Sequence, residues 1–229
     1  MGLSPNLKKP KTMTTTSPIA DAIHQGDTEQ VKALLQNQPQ LAREARGPHG
    51  ESLLLLALYH GHREIVDLML QSAPELDIHE AAATGNLARV QQLVAAAPES
   101  VNAVSPDGFG PLGLACFFNQ PEVAAYLIDK GADVNAPSQN AQQVRPIHSA
   151  AAARNSALVA LLLEKGADIN APQAGGFTAL HAAAHHGDEA LIKLLLEHMA
   201  DINAVTHDGK TAMELAIKSG HDAAKWFTL

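Results

Sequence analysis

Residues 172–204, PQAGGFTALHAAAHHGDEALIKLLLEHMADINA, carry the pattern from which the rest of the chain can be read. Thr178, Ala179, Leu180 and His181 open a short helix expected over 182–186, Gly187 and Asp188 turn the chain, and a second helix is expected over 190–198. Leu180, Ala183, Ala184, Leu191, Ile192, Leu194 and Leu195 recur at the spacing that lines one side of a helix. Ala200-Asp201-Ile202-Asn203-Ala204 then leads out toward the next unit. Two helices of roughly ten residues cannot bury their apolar faces against each other alone, so such a unit is stable only when stacked on others like it. Its small alanines let the first helix approach neighbours closely.

The turn residue marks the copies. It falls at Gly26, Gly61, Gly85, Asn119, Arg154, Gly187 and Gly220, at intervals of 35, 24, 34, 35, 33 and 33 residues. The expected organisation is a leader over 1–16 and a repeat domain over 17–229, with units near 17–46, 47–74, 75–104, 105–136, 137–171, 172–204 and 205–229. The leader, MGLSPNLKKPKTMTTT, is polar and aperiodic, which predicts disorder, and Met13 offers an alternative start within it. The 24-residue interval leaves no residues for a projecting turn between the second and third units, so a gap is expected there. In the seventh unit a second helix is expected to run to Leu229, with Lys225 facing water.

With a turn, two antiparallel helices and a T-P-L-H-like opening in which Ala179 replaces the usual proline, the stretch resembles an ankyrin repeat. The resemblance covers nearly everything after the leader. It implies an all-α, curved solenoid of paired antiparallel helices with projecting turns. It also implies a non-enzymatic scaffold that binds another protein on its concave side. In such repeats the tetrapeptide histidine, here His79, His148 and His181, bonds backbone at a helix start. Asn102, Asn135, Asn170 and Asn203 recur in the exit turns, where side-chain-to-backbone bonding within the turn is expected. In eukaryotic members this asparagine can be hydroxylated; the turn role is the one expected here.

Composition supports this picture. Aromatic residues make up only 3% of the 229, low for a compact enzyme core but natural for helices filled with alanine and leucine. The formal net charge of -8 and the lack of any Lys/Arg run argue against a nucleic-acid partner. No apolar run reaches spanning length, the densest being residues 53–59, so no membrane is expected. Gly2 begins like an acylation signal, but Asn6 stands where Ser or Thr is required. The single Cys116, at a first-helix alanine position, is expected to be buried and inert; a cytoplasmic location is expected by default.

The resemblance assigns partner contact to residues flanking each projecting turn and to the pair before each inter-helix turn. Four of the five phenylalanines, Phe109, Phe117, Phe118 and Phe177, fall in these sets, joined by Tyr59, His60, His185 and His186. Glu51 also flanks a projecting turn. Aromatic side chains grouped on one face mark interaction surfaces. These eight residues are the expected partner site, on a monomer or, alternatively, across a homodimer that buries the same patch. The competing role for Phe117 and Phe118 is to support the long loop over residues 137–144.

Catalysis and metal binding are declined. His181 and His185 have the i, i+4 spacing of metal ligands and His186 adjoins them, so the His185/His186 region is the place a metal enzyme would have to use. His181 is expected to be committed to backbone, however, and no cysteine or acidic cluster accompanies the pair. Ser149 beside His148 lacks an orienting third group. No catalytic residue, cofactor or metal is therefore expected.

Overall fold

The computed structural model describes residues 17–72 and 75–227; the expected leader and the middle of the expected gap lie outside them. The chain divides into two compact units, Met1–Ala73 and Pro74–Leu229. In the first, α1 (Pro18–Gln25) and α2 (Thr28–Asn37) form one helix pair, and α4 (Leu53–Tyr59) and α5 (Arg63–Ser72) a second; the short α3 (Leu41–Glu44) lies between them. α1 packs on α4 and α2 on α5, first helix on first and second on second. Leu53, Leu54, Leu55 and Leu56 are all buried in α4.

The second compact unit contains α6 (Ile78–Thr84) with α7 (Leu87–Ala96), α8 (Pro111–Phe117) with α9 (Pro121–Asp129), and α10 (Pro146–Ala152) with α11 (Ser156–Glu164). It continues with α12 (Ala179–His185), α13 (Glu189–Glu197) and α14 (Ala212–Lys218). The first helices stack in the order α6, α8, α10, α12, α14. Buried alanines at 81, 82, 115, 150, 151, 183, 184 and 216 let these backbones come close, while Val90, Val123, Leu127, Leu158, Leu162, Leu191 and Leu195 fill the layer beneath. The helix of the founding stretch begins three residues earlier than expected, because Thr178 sits at its N-cap.

All seven predicted turn residues adopt left-handed backbone: φ is 71, 71 and 74° at Gly26, Gly61 and Gly85, 59 and 58° at Asn119 and Arg154, and 63 and 86° at Gly187 and Gly220. The geometry holds where no glycine is present, so it belongs to the repeat rather than to the residue. Gly187 has a second reason to lack a side chain. A Cβ there would lie 2.5 Å from the His221 ring, which the next copy of the turn lays against it.

Three sets of polar bonds fix the copies of the second compact unit, the histidine bonds tying each first helix to the segment that leads out of its own copy or into the next. His79 Nε2, His148 Nε2 and His181 Nε2 lie 3.1, 2.8 and 3.1 Å from the carbonyl oxygens of Ala103, Ala171 and Lys210. A carbonyl only accepts, so Nε2 carries the proton. The Nδ1 atoms of His148 and His181 accept from the amides of Arg145 (3.0 Å) and Thr178 (3.2 Å). The projecting turns are laced together: the amides of Gln139, Ala174 and His207 donate to the carbonyls of Gly108, Gln142 and Gly175 at 2.7, 2.9 and 2.8 Å.

The exit-turn asparagines depart from expectation. Asn135 donates to Gly166 O (2.9 Å) and accepts from Asp168 N (2.8 Å), some thirty residues onward, and Asn102 treats Gly131 and Asp133 in the same way. The bond inside the turn is made instead by the aspartate two residues earlier, as Asp133 Oδ1 accepts from Asn135 N at 2.8 Å. The end of the chain also differs: the expected final helix is a single 3-10 turn, Ala224–Trp226, and Leu229 lies outside the described residues. One turn cannot offset the cost of nucleating a helix. Lys225 is exposed as expected, with its ammonium 3.6 Å from Glu189.

Candidate functional site

The residues proposed to contact a partner fall into two groups. Tyr59 and His60 belong to the first compact unit, at the end and C-cap of α4. Phe109, Phe117, Phe118, Phe177, His185 and His186 belong to the second. Phe117 ends α8, with 45% of its surface exposed, and its ring meets that of Phe118 edge to face at 5.0 Å. His185 ends α12, His186 caps it, and their rings are 5.3 Å apart.

Phe109 and Phe177 take up half-buried places on two projecting turns, with the long turn at 137–144 between them. Phe109 follows a turn held by Ser105, whose hydroxyl accepts from Phe109 N at 3.0 Å and donates to the Asp107 carboxylate. Phe177 lies 6.0 Å from the His181 ring. A cleft of about 260 Å³ runs under the long turn at 137–144, lined by Val101, Val104, Phe109, Pro137 and Val144 among others. Phe109, not the Phe117/Phe118 pair, is the aromatic side chain that lines it. Glu51, expected at a projecting turn facing a partner, is instead only 2% exposed, and its carboxylate accepts from the amide of His49 at 2.8 Å. A buried carboxylate needs such donors, and here the chain supplies its own.

The imidazoles differ in electrostatic setting. Partial burial lowers the pKa of His186, helped by neighbouring His185 and Arg154 and opposed by Asp188. His185 Nδ1 lies 2.9 Å from the Ser219 hydroxyl, and its carbonyl accepts from His221 Nε2 at 3.1 Å. Burial likewise keeps His148 and His181 below the ordinary imidazole range, which preserves the neutral tautomer their bonds require. The Cys116 thiol is fully buried and pushed far up, which leaves little reactive thiolate at neutral pH. Among the described residues, no three His, Cys, Asp or Glu side chains gather as a metal cluster.

The geometry is that of a repeated turn-and-two-helix unit presenting helix ends and projecting turns together. A family model for ankyrin repeats (three copies) matches residues 78–173 and 172–228. The chain belongs to the ankyrin repeat family. Ankyrin repeats are generally protein-interaction scaffolds and typically non-enzymatic. In this ankyrin repeat protein no described helix is long and apolar enough to cross a membrane.

One feature that adjacent-residue arguments miss is a contact between histidines 36 positions apart. His24 Nδ1 and His60 Nε2 are 3.1 Å apart within the first compact unit. No sequence pattern joins them. The only available signal was that both stand just before an inter-helix turn, one repeat apart.

Proposed function

We propose that this ankyrin repeat protein is a non-enzymatic scaffold that binds another protein through its first-helix ends and projecting turns. Phe109, Phe117, Phe118, Phe177, His185 and His186 make contact on the second compact unit, and Tyr59 and His60 on the first. The observation that carries this reading is Phe117. In a chain with 3% aromatic residues, a phenylalanine at the end of a buried helix keeps 45% of its surface in water. Buried aromatic anchors contribute disproportionately to association, and Phe117 is placed to become one. The laced turns support the same reading, because a surface already ordered loses little further entropy when it binds.

Affinity capture from a native lysate, comparing the wild type with Phe117→Ala/Phe118→Ala, tests the proposal. Loss of one specific partner from the variant is expected, and equal capture would contradict it. Sedimentation at two protein concentrations separates this from self-association: a mass that rises with concentration, and does so only with both rings intact, would assign the surface to a homodimer.

A further inference from the structure

We propose that His24 and His60 form a two-imidazole site for a late first-row divalent cation such as zinc, clamping the first helix pair to the second. The site shares His60 with the proposed partner contacts of the first compact unit and uses none of the phenylalanines. His24 Nδ1 and His60 Nε2 face each other at 3.1 Å, with the rings nearly perpendicular at 89° and their centroids 4.6 Å apart. Two nitrogens each about 2.0–2.1 Å from a tetrahedral zinc lie roughly 3.3 Å apart, so the ion fits between them after a shift of about 0.2 Å. Imidazole nitrogen suits zinc, copper and nickel. With only two protein donors, water completes the coordination.

In the metal-free pair one ring donates a hydrogen to the other. Moving that hydrogen to the donor ring's second nitrogen, by exchange with water, turns both lone pairs toward the gap without net loss of a proton. The surroundings favour a cation. His24 lies in the last turn of α1 and His60 caps α4, so the negative ends of two helices converge on the pair. Asp21, one turn before His24, lines with it a hollow of about 180 Å³. His62, whose ring stacks 5.9 Å from His60, and Glu51 also act on the pair.

Titration calorimetry of the full chain with zinc alone tests the site in wild type, His24→Gln, His60→Gln and His185→Gln/His186→Gln. One saturable equivalent is expected in the wild type. Affinity should drop at least tenfold in each single variant and be unchanged in the double variant. Zinc should raise the thermal midpoint of wild type and of the double variant, but not of the single variants. Saturable binding that survives both single substitutions, that is lost only in the double variant, or that is missing from wild type would overturn the proposal. Ring resonances of wild type give an answer without any variant: zinc should shift those of His24 and His60 first, and a first shift at His185 or His186 would overturn the assignment.

Discussion

Replacing Met199 by glycine should stabilise the protein, although it removes an entire side chain. Met199 stands where earlier copies of the exit turn carry Gly131 and Gly166, whose φ values are 91 and 89°. Its own φ is 66°, and 82% of its surface is exposed. Around the equivalent glycines, a Cβ would meet nothing within 4 Å, so crowding with neighbours is not the difficulty. The strain is local to the backbone. A left-handed L-residue costs roughly 1–2 kcal/mol, and little packing is lost from so exposed a side chain. Against that gain, glycine gives the unfolded chain more freedom, worth about 0.4–1 kcal/mol. The balance is a stabilisation of roughly 0.5–1 kcal/mol, or about 1–4 °C in a chain of this size. Urea denaturation of wild type, Met199→Gly and Met199→Ala measures it. The alanine variant keeps the strain and should match wild type within about 0.5 kcal/mol. A glycine variant less stable than wild type, or an alanine variant that gains as much as glycine, would refute the reasoning.

Asn135→Ala removes two bonds to the next repeat and should cost about 1–2 kcal/mol in urea denaturation; a loss below about 0.3 kcal/mol would mean that water replaces them. Gly187→Ala forces a Cβ against the His221 ring at φ 63° and should lower stability by about 1–3 kcal/mol. Adding His221→Ala should recover part of that loss, and strict additivity in the double-mutant cycle would refute the contact. Burial lowers the folded pKa of His148 and His181, so just below the ordinary value of 6.5 the unfolded chain binds more protons than the folded one. Stability should therefore be fully present above about pH 6.5 and fall as the pH drops through the folded-state values. Thermal midpoints between pH 7.5 and 5 check this, and a slope undiminished in His148→Gln/His181→Gln would assign it to other groups.

The fold was legible because its determinants are local and repeated. Each turn position could be located from its neighbours along the chain, and Arg154 adopts the turn backbone even without glycine. What escaped were relations between copies. The asparagine of which Asn135 is one copy recurs at one place in four exit turns, and its position along the chain is the same whether it bonds its own turn or the next. Only the stacking distance decides between them, and Asp133 had already taken the local amide. Glu51 shows a similar limit, since its burial follows from how the turn at His49 folds back. His24 and His60 meet because a whole repeat places two helix ends side by side, whereas a search for ligands close in sequence leads to His181 and His185. At the candidate site, the exposure of Phe117 follows from its place at a helix end, a place the repeat pattern predicts.

Oxidative footprinting of the chain alone and bound to its captured partner tests the central claim most directly. Binding should protect Phe117 and Phe118 while leaving exposed residues of the second helices, such as Lys193, as reactive as before. Unchanged labelling at both phenylalanines, with protection on the second-helix side, would contradict it.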